Sequence, residues 1–498
     1  MLNRFYASFV FISFLAFALI PAVNAQQEIL SLASRGETQA VLTALDADTA
    51  RDAVQADGTG LLHWAVYYND LVLVNRLIQL GSDVSLRNNY GASPLSQAAI
   101  IGNSEVIAAL LNAGAEPNES FADGQTAIMV IARTNNLDAA RVLLDKGADV
   151  NKTEQFRGQT ALMWAAAQKQ PEMLQLLLDH GAEPNVRSKL NNWQRQVTAE
   201  PRMKFMPVGG LTPLLFAARE GCALCVEHLI AAGADIQMSD PENISPLIMA
   251  CLNANWDSAR LLLEAGAYVN KWDIYGRSPL YATVDYNTIP HGGRADKLSI
   301  DLTSSFEFLE LLFEADANPN LQLKVVPPYR HLESDRTGFG ERLLLSAGAT
   351  SLIRAARGAD AEAIELLLAY GALINLPNDR GVTALMAAAG YSTRPADTRG
   401  RFRTEVEALT AAQVLLQKGQ ADVNHQDNTG STALHGAAQR GWTAMVALLI
   451  EYGADPAIED GFATTALDHA LGRGGEFKDG GGVAHMETAA FLQSLMDQ

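Results

Sequence analysis

The sequence predicts an all-α repeat solenoid, in which helix–turn–helix units stack side by side with short hairpin-like finger loops and several insertions. A closing phrase returns along the chain, for example LLDKGADVN at 143–151 and LLEAGAYVN at 262–270. An opening phrase precedes it, for example TALMWAA from Thr160 and TPLLFAA from Thr212. Self-similarity of this kind indicates a repeated structural unit, whereas a catalytic motif usually occurs once.

The spacing of the opening phrase gives the length of the unit. Openings begin at residues 60, 93, 126, 160, 212, 245, 278, 350, 383, 432 and 465. Six of the ten intervals are 33 residues and one is 34, while the intervals of 52, 72 and 49 residues indicate insertions. A unit this short cannot bury its own apolar side, so it becomes stable by packing against its neighbours.

Each part of the unit has a local physical role. The Ser or Thr that opens it, such as Thr160, can cap a helix by accepting a hydrogen bond from a backbone N–H. Pro follows in several copies, such as Pro213, at the first helical position where its missing N–H is no loss. The Leu pair of the closing phrase predicts the apolar side of a second helix, and a Gly such as Gly147 suits a left-handed helix end.

The period, the TPLHxAA-like opening and the LLxxGAdvN-like close resemble the ankyrin repeat. The resemblance covers essentially all of the chain after residue 25 except the insertions. It implies a curved stack of helix pairs with fingers projecting on one side. It also implies that His63 and His435, at the His position of the opening, are structural residues between neighbouring units. At the level of function it implies protein binding in general and no particular target.

We expect three regions: a signal peptide over 1–25, a degenerate N-terminal capping repeat over 26–59, and an array of about eleven repeats over 60–498. Insertions fall near 186–210, 285–303, 321–349, 390–406 and 472–484. The segments 186–210 and 321–349 fall in the finger position, and the other three in the turn between two helices. RLLLSAGAT at 342–350 mimics a closing phrase, so a degenerate repeat remains the alternative for 321–349.

The insertions are candidate recognition loops because loops on a rigid scaffold commonly carry function. Residues 186–210 hold five Lys or Arg side chains and one acid, within a chain of net charge −19. A positive patch on a negative body favours an acidic partner, and Arg with aromatic residues is typical of binding hot spots. The alternative is that the loops pack back on the repeats. The candidate partner-binding residues are Trp193, Arg195, Arg202, Lys204, Phe205, Tyr329, Arg330, Arg336, Arg399, Arg401 and Arg403.

The first 25 residues are typical of a secretory signal. Arg4 is their only charge, and the apolar run from Phe5 to Ile20 is 16 residues long. This run is shorter than the ~20 residues that a membrane helix needs. Small residues at Val23 and Ala25 predict cleavage after Ala25. We therefore expect a periplasmic or secreted protein with no stable membrane insertion after cleavage; an uncleaved anchor is the alternative.

Three cysteines are too few for a disulfide framework. Cys222 and Cys225 form a Cys-x-x-Cys at the start of a second helix, where a thiolate pKa can be lowered. They are candidates for a local disulfide, for a redox pair, or for small buried residues that only pack. Cys251 aligns with the packing residue Ala99. We expect no metal site and no cofactor, since phosphate-loop, HExxH and GxSxG motifs do not occur in the sequence.

These observations predict a monomeric, exported, non-enzymatic scaffold that binds another protein through its concave face and its basic inserted loops. The strongly negative charge disfavours nucleic acid, whose phosphates need Lys and Arg. Two alternatives stay open. One is a cell-wall or polysaccharide binder that uses Trp193 or Tyr329, and the other is a thiol-redox enzyme that uses the Cys222/Cys225 pair.

Overall fold

A computed structural model describes residues 26–45, 51–191, 196–199, 202–205, 208–288, 300–325, 347–391, 404–418, 420–475 and 482–496. The predicted signal peptide, residues 1–25, lies outside these ranges. Contacts divide the described chain into two compact units. Unit 1 holds the residues up to Leu190 together with Gly209–Phe216 and Glu227–Ala234, and unit 2 holds the rest.

Unit 1 is built from helix pairs in two layers. First helices pack on first helices, α3 on α5, α5 on α7 and α7 on α9, and second helices do the same from α4 to α10. The described helices are α1 (26–34), α2 (Thr38–Ala44), α3 (Leu61–Tyr67), α4 (Leu71–Gln79), α5 (Pro94–Ile101), α6 (Ser104–Asn112), α7 (Ala127–Thr134), α8 (Leu137–Asp145), α9 (Ala161–Ala167) and α10 (Pro171–Asp179).

Two further helices, α11 (Pro213–Glu220) and α12 (Ala223–Ala231), contribute residues to both units. Unit 2 continues the alternation of first and second helices. Its helices are α13 (Pro246–Leu252), α14 (Trp256–Glu264), α15 (Pro279–Thr288), α16 (Ser305–Glu314), α17 (Ser351–Gly358), α18 (Ala361–Ala369), α19 (Ala384–Ala388), α20 (Glu405–Gln417), α21 (Ala433–Arg440), α22 (Thr443–Glu451), α23 (Ala466–Ala470) and α24 (Met486–Met496).

The core lies between the two layers, and the repeated phrases supply it. In the copy from Thr160, Leu162, Ala165 and Ala166 are at most 1% exposed, as is Leu177 of the following second helix. Burial of each Leu contributes about 2 kcal/mol, and the small Ala pair lets neighbouring first helices approach closely. The sequence therefore predicted the all-α repeat solenoid correctly.

The helix ends follow the expected chemistry. Thr160 Oγ1 accepts a hydrogen bond of 3.3 Å from Met163 N, which satisfies one of the free N–H groups at the start of α9. Asp316, which replaces the terminal Gly of the closing phrase after α16, adopts φ +63°. It thus takes the left-handed conformation that Gly266 has at the equivalent position, φ +89°.

The insertion over 186–210 contains secondary structure that the sequence analysis did not predict. Strands β1 (Gln196–Ala199) and β2 (Arg202–Phe205) form an antiparallel hairpin in which Gln196 lies opposite Phe205. The sequence analysis treats this segment as a basic loop, but QVTA and RMKF each alternate polar and apolar residues over four positions, which is the period of a strand. A two-stranded hairpin is compatible with the repeat fold because it falls in the chain segment between α10 and α11 and interrupts neither helix.

The other insertions are described only at their edges. Residues 289–299, 326–346, 392–403 and 476–481 lie outside the described residues. Two hydrogen bonds mark where the chain rejoins the repeats. Leu323 N donates to Ala349 O over 3.0 Å, and Thr404 caps α20 by accepting from Glu407 N. The two edges of the 321–349 insertion are therefore joined by a backbone hydrogen bond, and the 390–406 insertion leads into a capped helix.

Candidate interaction surface

Three of the eleven sequence-predicted binding residues lie within the described part of the chain. Trp193, Arg195, Tyr329, Arg330, Arg336, Arg399, Arg401 and Arg403 lie outside the described residues. Arg202, Lys204 and Phe205 lie on β2, where Arg202 is opposite Ala199 in the ladder. The structure thus places three of the predicted residues on a single strand of the hairpin.

Two of the five basic side chains of residues 186–210 form hydrogen bonds at the base of the finger. Lys189 Nζ donates to Gln155 O over 2.6 Å, and Arg187 Nη1 donates to Gly210 O over 2.9 Å. Ser188 N also donates to Leu211 O over 2.9 Å. Because these cations bind backbone carbonyls of the same unit, they contribute to the fold of the finger.

A different surface, which sequence reasoning missed, lies on the first helices of unit 1. Tyr67 of α3 is 60% exposed and Ile100 of α5 is 69% exposed, and the next residues, Tyr68 and Ile101, are also exposed. These four residues occupy equivalent positions just after the small pair of the opening phrase, so they lie side by side on adjacent helices. We call Tyr67, Tyr68, Ile100 and Ile101 the first-helix patch.

The signal for this patch was present in the repeat alignment. The copy from Thr160 carries Ala167 and Gln168 at these two positions, and the copy from Thr432 carries Gln439 and Arg440. The Tyr pair and the Ile pair therefore depart from a position where other copies tolerate polar residues. In a single sequence, two more apolar residues next to a helix core look like additional core, and their exposure becomes visible only in the structure.

Ring contacts and a hydrogen bond hold the two Tyr side chains of the first-helix patch in place. The ring centroids of Trp64 and Tyr67 are 5.7 Å apart in an edge-to-face arrangement, and those of Tyr67 and Tyr68 are 5.1 Å apart. Tyr68 Oη donates to Ser34 O over 2.7 Å. Edge-to-face rings are attracted to one another beyond their apolar burial, so the patch offers a rigid apolar surface.

A cationic side chain, Arg133, lies in the same helix layer, one repeat after Ile100 and two repeats after Tyr67. The guanidinium of Arg133 on α7 is 5.0 Å from the ring centroid of Trp164, and its Nη1 donates to Gln125 Oε1 over 3.2 Å. Arg133 occupies the position equivalent to Tyr67 and Ile100 and is exposed. The first-helix layer of unit 1 thus presents apolar side chains at one end and a stacked Arg further along.

The cysteine pair is oxidised and enclosed. A disulfide joins Cys222 and Cys225, and both residues are buried. Cys222 Sγ accepts a hydrogen bond of 3.2 Å from Cys225 N at the start of α12. Cys251 is a buried free thiol whose pKa is raised to about 12 by burial. The described residues include no cluster of three or more His, Cys, Asp or Glu side chains that could hold a metal ion.

The two histidines of the opening phrase join neighbouring repeats. His63 Nδ1 accepts from Gly60 N over 3.2 Å, and its Nε2 lies 3.0 Å from Ala92 O of the next unit. His435 Nδ1 accepts from Thr432 N over 3.1 Å, and its Nε2 lies 3.3 Å from Thr464 O. The structural role that the resemblance implied for these residues is the one that the structure shows.

Among the described residues, every helix is too short or too polar to cross a membrane.

Two protein-family models match the sequence. The model for ankyrin repeats in three copies matches residues 29–120, 114–188 and 214–323, which together make up more than half of the 498 residues. The model for ankyrin repeats in many copies matches residues 415–470. The matched segments include both the first helix pairs and those near the C-terminus.

Several curated proteins are similar over long stretches. Human transient receptor potential cation channel subfamily A member 1 is 25% identical over 486 residues, covering 83% of this chain and 38% of that protein. Human ankyrin repeat and SOCS box protein 16 is 30% identical over 259 residues, covering 52% of this chain and 47% of that protein. The chain thus spans about two fifths to one half of the length of these relatives.

Solved structures of ankyrin repeat domains also align. The ankyrin repeat domain of Bcl-3 aligns with a TM-score of 0.40 at 24% identity, covering 52% of this chain and 99% of that chain. An ankyrin repeat domain from Acinetobacter baumannii AYE aligns with a TM-score of 0.36 at 26% identity, covering 42% of this chain and 98% of that chain.

Proposed function

This chain belongs to the ankyrin repeat family, and from that premise we propose that it is an exported, non-enzymatic scaffold that binds another protein. Ankyrin repeats generally serve as protein-binding scaffolds, and that general role is the starting point here. The finer proposal is that the partner docks on the first-helix layer of unit 1, which we identify with the predicted concave face. The basic insertions supply a second, charged set of contacts.

The first-helix patch is the observation that carries this proposal. Tyr67 and Ile100 are 60% and 69% exposed, although the residues that directly precede them, Val66 and Ala99, are fully buried. Clustered apolar side chains on a soluble surface mark an interaction site, and aromatic residues are enriched among those that dominate binding energy. Arg133, stacked on Trp164, provides a cation for an acidic group of the partner.

The insertions support the proposal through their charge. Residues 186–210 carry a local excess of four positive charges within a chain of net charge −19. Such a contrast speeds the encounter with an acidic partner and makes it sensitive to salt. Arg187 and Lys189 contribute less, because they already donate to backbone carbonyls.

An export role is supported by the sequence of residues 1–25, with cleavage after Ala25 and a periplasmic or secreted destination. Such compartments are oxidising, which suits the Cys222–Cys225 disulfide. N-terminal sequencing of the protein purified from its host should give a chain that starts at Gln26. A chain that still carries the apolar run would favour a membrane anchor instead.

Site-specific crosslinking tests the docking surface. A photoreactive amino acid is placed at Tyr67 or Ile100 in the full-length protein expressed in its native host, and crosslinked products are identified by mass spectrometry. Val72 on α4 is a matched control site, because it is equally exposed but lies on a second helix. We expect one partner protein to be crosslinked from positions 67 and 100 and not from 72.

Equal labelling from all three positions, or no product from 67 and 100, would contradict the docking surface. The enzyme alternative is tested separately with the Cys222→Ala, Cys225→Ala double variant. Thiol–disulfide exchange activity that the wild-type protein has and this variant lacks would favour a redox enzyme over a scaffold.

A further inference from the structure

An open cleft of about 550 Å³ lies between two successive fingers of unit 2. One wall is formed by Gln237 and Asn243 of the finger before α13, and the other by Tyr268, Lys271 and Trp272 of the finger before α15. Its volume falls within the range typical of small-ligand sites. Two aromatic rings and three polar side chains line it, and no aliphatic side chain does.

The repeat itself shows that this cleft is unusual. The finger that begins GADVNKT carries Asp149 and Thr153 where the finger that begins GAYVNKW carries Tyr268 and Trp272. Most closing phrases of this chain have an acidic residue at the first of these positions, as at Glu183. A small or acidic side chain at these two positions is therefore sufficient for the repeats to stack. Stacking alone does not explain Tyr268 and Trp272.

The lining is held rigid by bonds between the fingers. The side-chain amide of Gln237 donates to Gly266 O over 3.0 Å and accepts from Tyr268 N over 3.2 Å. Lys271 Nζ donates to Gln237 O over 2.9 Å, and Asn243 Nδ2 donates to Trp272 O over 2.5 Å. A ligand would therefore meet preformed walls and lose little affinity to ordering them.

The rings themselves remain open to solvent. Tyr268 is 61% exposed and Trp272 is 41% exposed, although Lys324 Nζ lies 4.6 Å from the centroid of the Trp272 ring. Exposed aromatic faces beside amide, phenol and ammonium groups match the surface of a sugar ring. Its C–H groups pack on aromatic faces, while its hydroxyls donate to and accept from the polar groups.

From this geometry we propose that the cleft lined by Gln237, Asn243, Tyr268, Lys271 and Trp272 is a saccharide-binding site. Tyr268 and Trp272 hold the sugar ring, Lys271 donates to a hydroxyl or carboxylate, and Asn243 accepts from a hydroxyl through its Oδ1. The site is separate from the first-helix patch, so the inference does not depend on the proposed protein partner. It assigns saccharide binding to residues other than Trp193 and Tyr329, where the sequence had suggested it.

Calorimetry on the full-length protein tests the site with defined probes: cellotetraose, chitotetraose and a tetragalacturonate. Co-sedimentation with insoluble cellulose, chitin and peptidoglycan then shows whether the natural ligand is a cell-wall polymer or a free oligosaccharide. The cleft variants are Tyr268→Asp and Trp272→Thr, which introduce the residues that the same fold already tolerates at 149 and 153. Phe156→Thr is the matched control, because Phe156 is an exposed aromatic residue on a finger of unit 1.

We expect at least one probe to bind, with a tenfold or greater loss of affinity in each cleft variant and no change in the control. Saturation-transfer NMR on the wild-type protein should show transfer to the bound sugar, which is independent of how the variants fold. Absence of binding to every probe, or binding that survives both cleft substitutions, would overturn the proposal. Loss of a protein partner in the cleft variants without saccharide binding would assign the cleft to protein recognition instead.

Discussion

At the scale of single residues, the Asn that closes the repeated phrase forms hydrogen bonds with the backbone of the next repeat. Asn151 Nδ2 donates to Gly181 O over 2.9 Å, and its Oδ1 accepts from Glu183 N over 2.8 Å. Asn118, one repeat earlier, makes the same two bonds to Gly147 O and Asp149 N. Each Asn thus joins its finger to the next closing phrase and satisfies carbonyl and N–H groups at a helix end.

We expect Asn151→Ala to lower the free energy of unfolding by about 1 kcal/mol, since it removes two hydrogen bonds whose exposed backbone partners, Gly181 O and Glu183 N, can bind water instead. Urea denaturation followed by circular dichroism measures the change. Asn112→Ala is a suitable control, because Asn112 is an exposed Asn at the end of α6. Equal effects from the two substitutions would show that the ladder of Asn side chains adds little to stability.

The buried histidine of the penultimate opening phrase makes stability depend on pH. Burial, followed by the positive charge of His469, lowers the pKa of His435 from its ordinary 6.5 to about 4, although Asp460 and Asp427 oppose the shift. The rings of the two histidines are 5.0 Å apart, and His469 Nε2 lies 2.9 Å from Asp460 Oδ2. Between pH 6.5 and pH 4 the unfolded chain therefore binds a proton at His435 that the folded chain does not.

Acidification from pH 7 to pH 4.5 is thus expected to destabilise the protein through His435, by at most about 3 kcal/mol. His435→Met isolates this contribution, because the copies TALMWAA and TALMAAA carry Met163 and Met386 at the same position. Urea denaturation at several pH values should give a shallower loss of stability for the variant than for the wild type. Parallel pH profiles would mean that His435 does not titrate differently in the folded state.

At the scale of elements, the inserted hairpin and the finger that carries it make different sets of contacts. Residues 187–191 and 208–211 make repeat-like contacts: Lys189 N donates to Arg157 O over 2.7 Å, and Asn191 N donates to Val208 O over 2.7 Å. Strands β1 and β2 fall between these two segments in the sequence and pair with each other. The hairpin is therefore an addition to a complete finger.

Two deletions test this division. Removing 192–207 and joining the ends with a two-residue turn should change the free energy of unfolding by less than about 1 kcal/mol, because loop length has a weak effect on stability. Removing 186–210 should cost more, since it also deletes the bonds from Lys189 to Gln155 O and Arg157 O. Equal midpoints for the two deletions in urea denaturation would contradict the distinction.

Much of the element pattern could be predicted from the sequence, for a physical reason. Caps such as Thr160, small pairs such as Ala165-Ala166, and the buried Leu177 are each required by one local contact, and the 33-residue spacing repeats them. The hairpin carries a local signal, the alternation of polar and apolar residues in QVTA and RMKF, but each run is only four residues long. The first-helix patch escaped prediction because nothing local requires it. Strand pairing joins residues that are individually unremarkable, and exposure of Tyr67 depends on what the rest of the chain leaves uncovered.

At the scale of the whole molecule, charge is the dominant sequence property. The chain holds 56 Asp and Glu against 37 Lys and Arg, and second helices carry exposed acids such as Glu310, Glu314 and Glu362. Ion pairs balance only some of this charge; Lys418 Nζ lies 2.9 Å from Glu365 Oε1 on the surface, whereas Arg354 pairs with Asp285 in a buried environment. The excess of like charges repels itself in the compact state, and salt screens that repulsion.

We therefore expect the midpoint of thermal unfolding to rise by about 2–5 °C when NaCl is increased from about 20 to 300 mM, which shortens the Debye length to well below 10 Å. Replacing Glu310, Glu314 and Glu362 by Gln removes three exposed negative charges and should reduce this salt dependence while raising the low-salt midpoint. The buried Arg354–Asp285 pair is shielded from solvent ions and should not reverse the trend. A midpoint that falls with salt in calorimetry would mean that surface ion pairs outweigh the net repulsion, so that the acidic surface stabilises the fold through specific pairs.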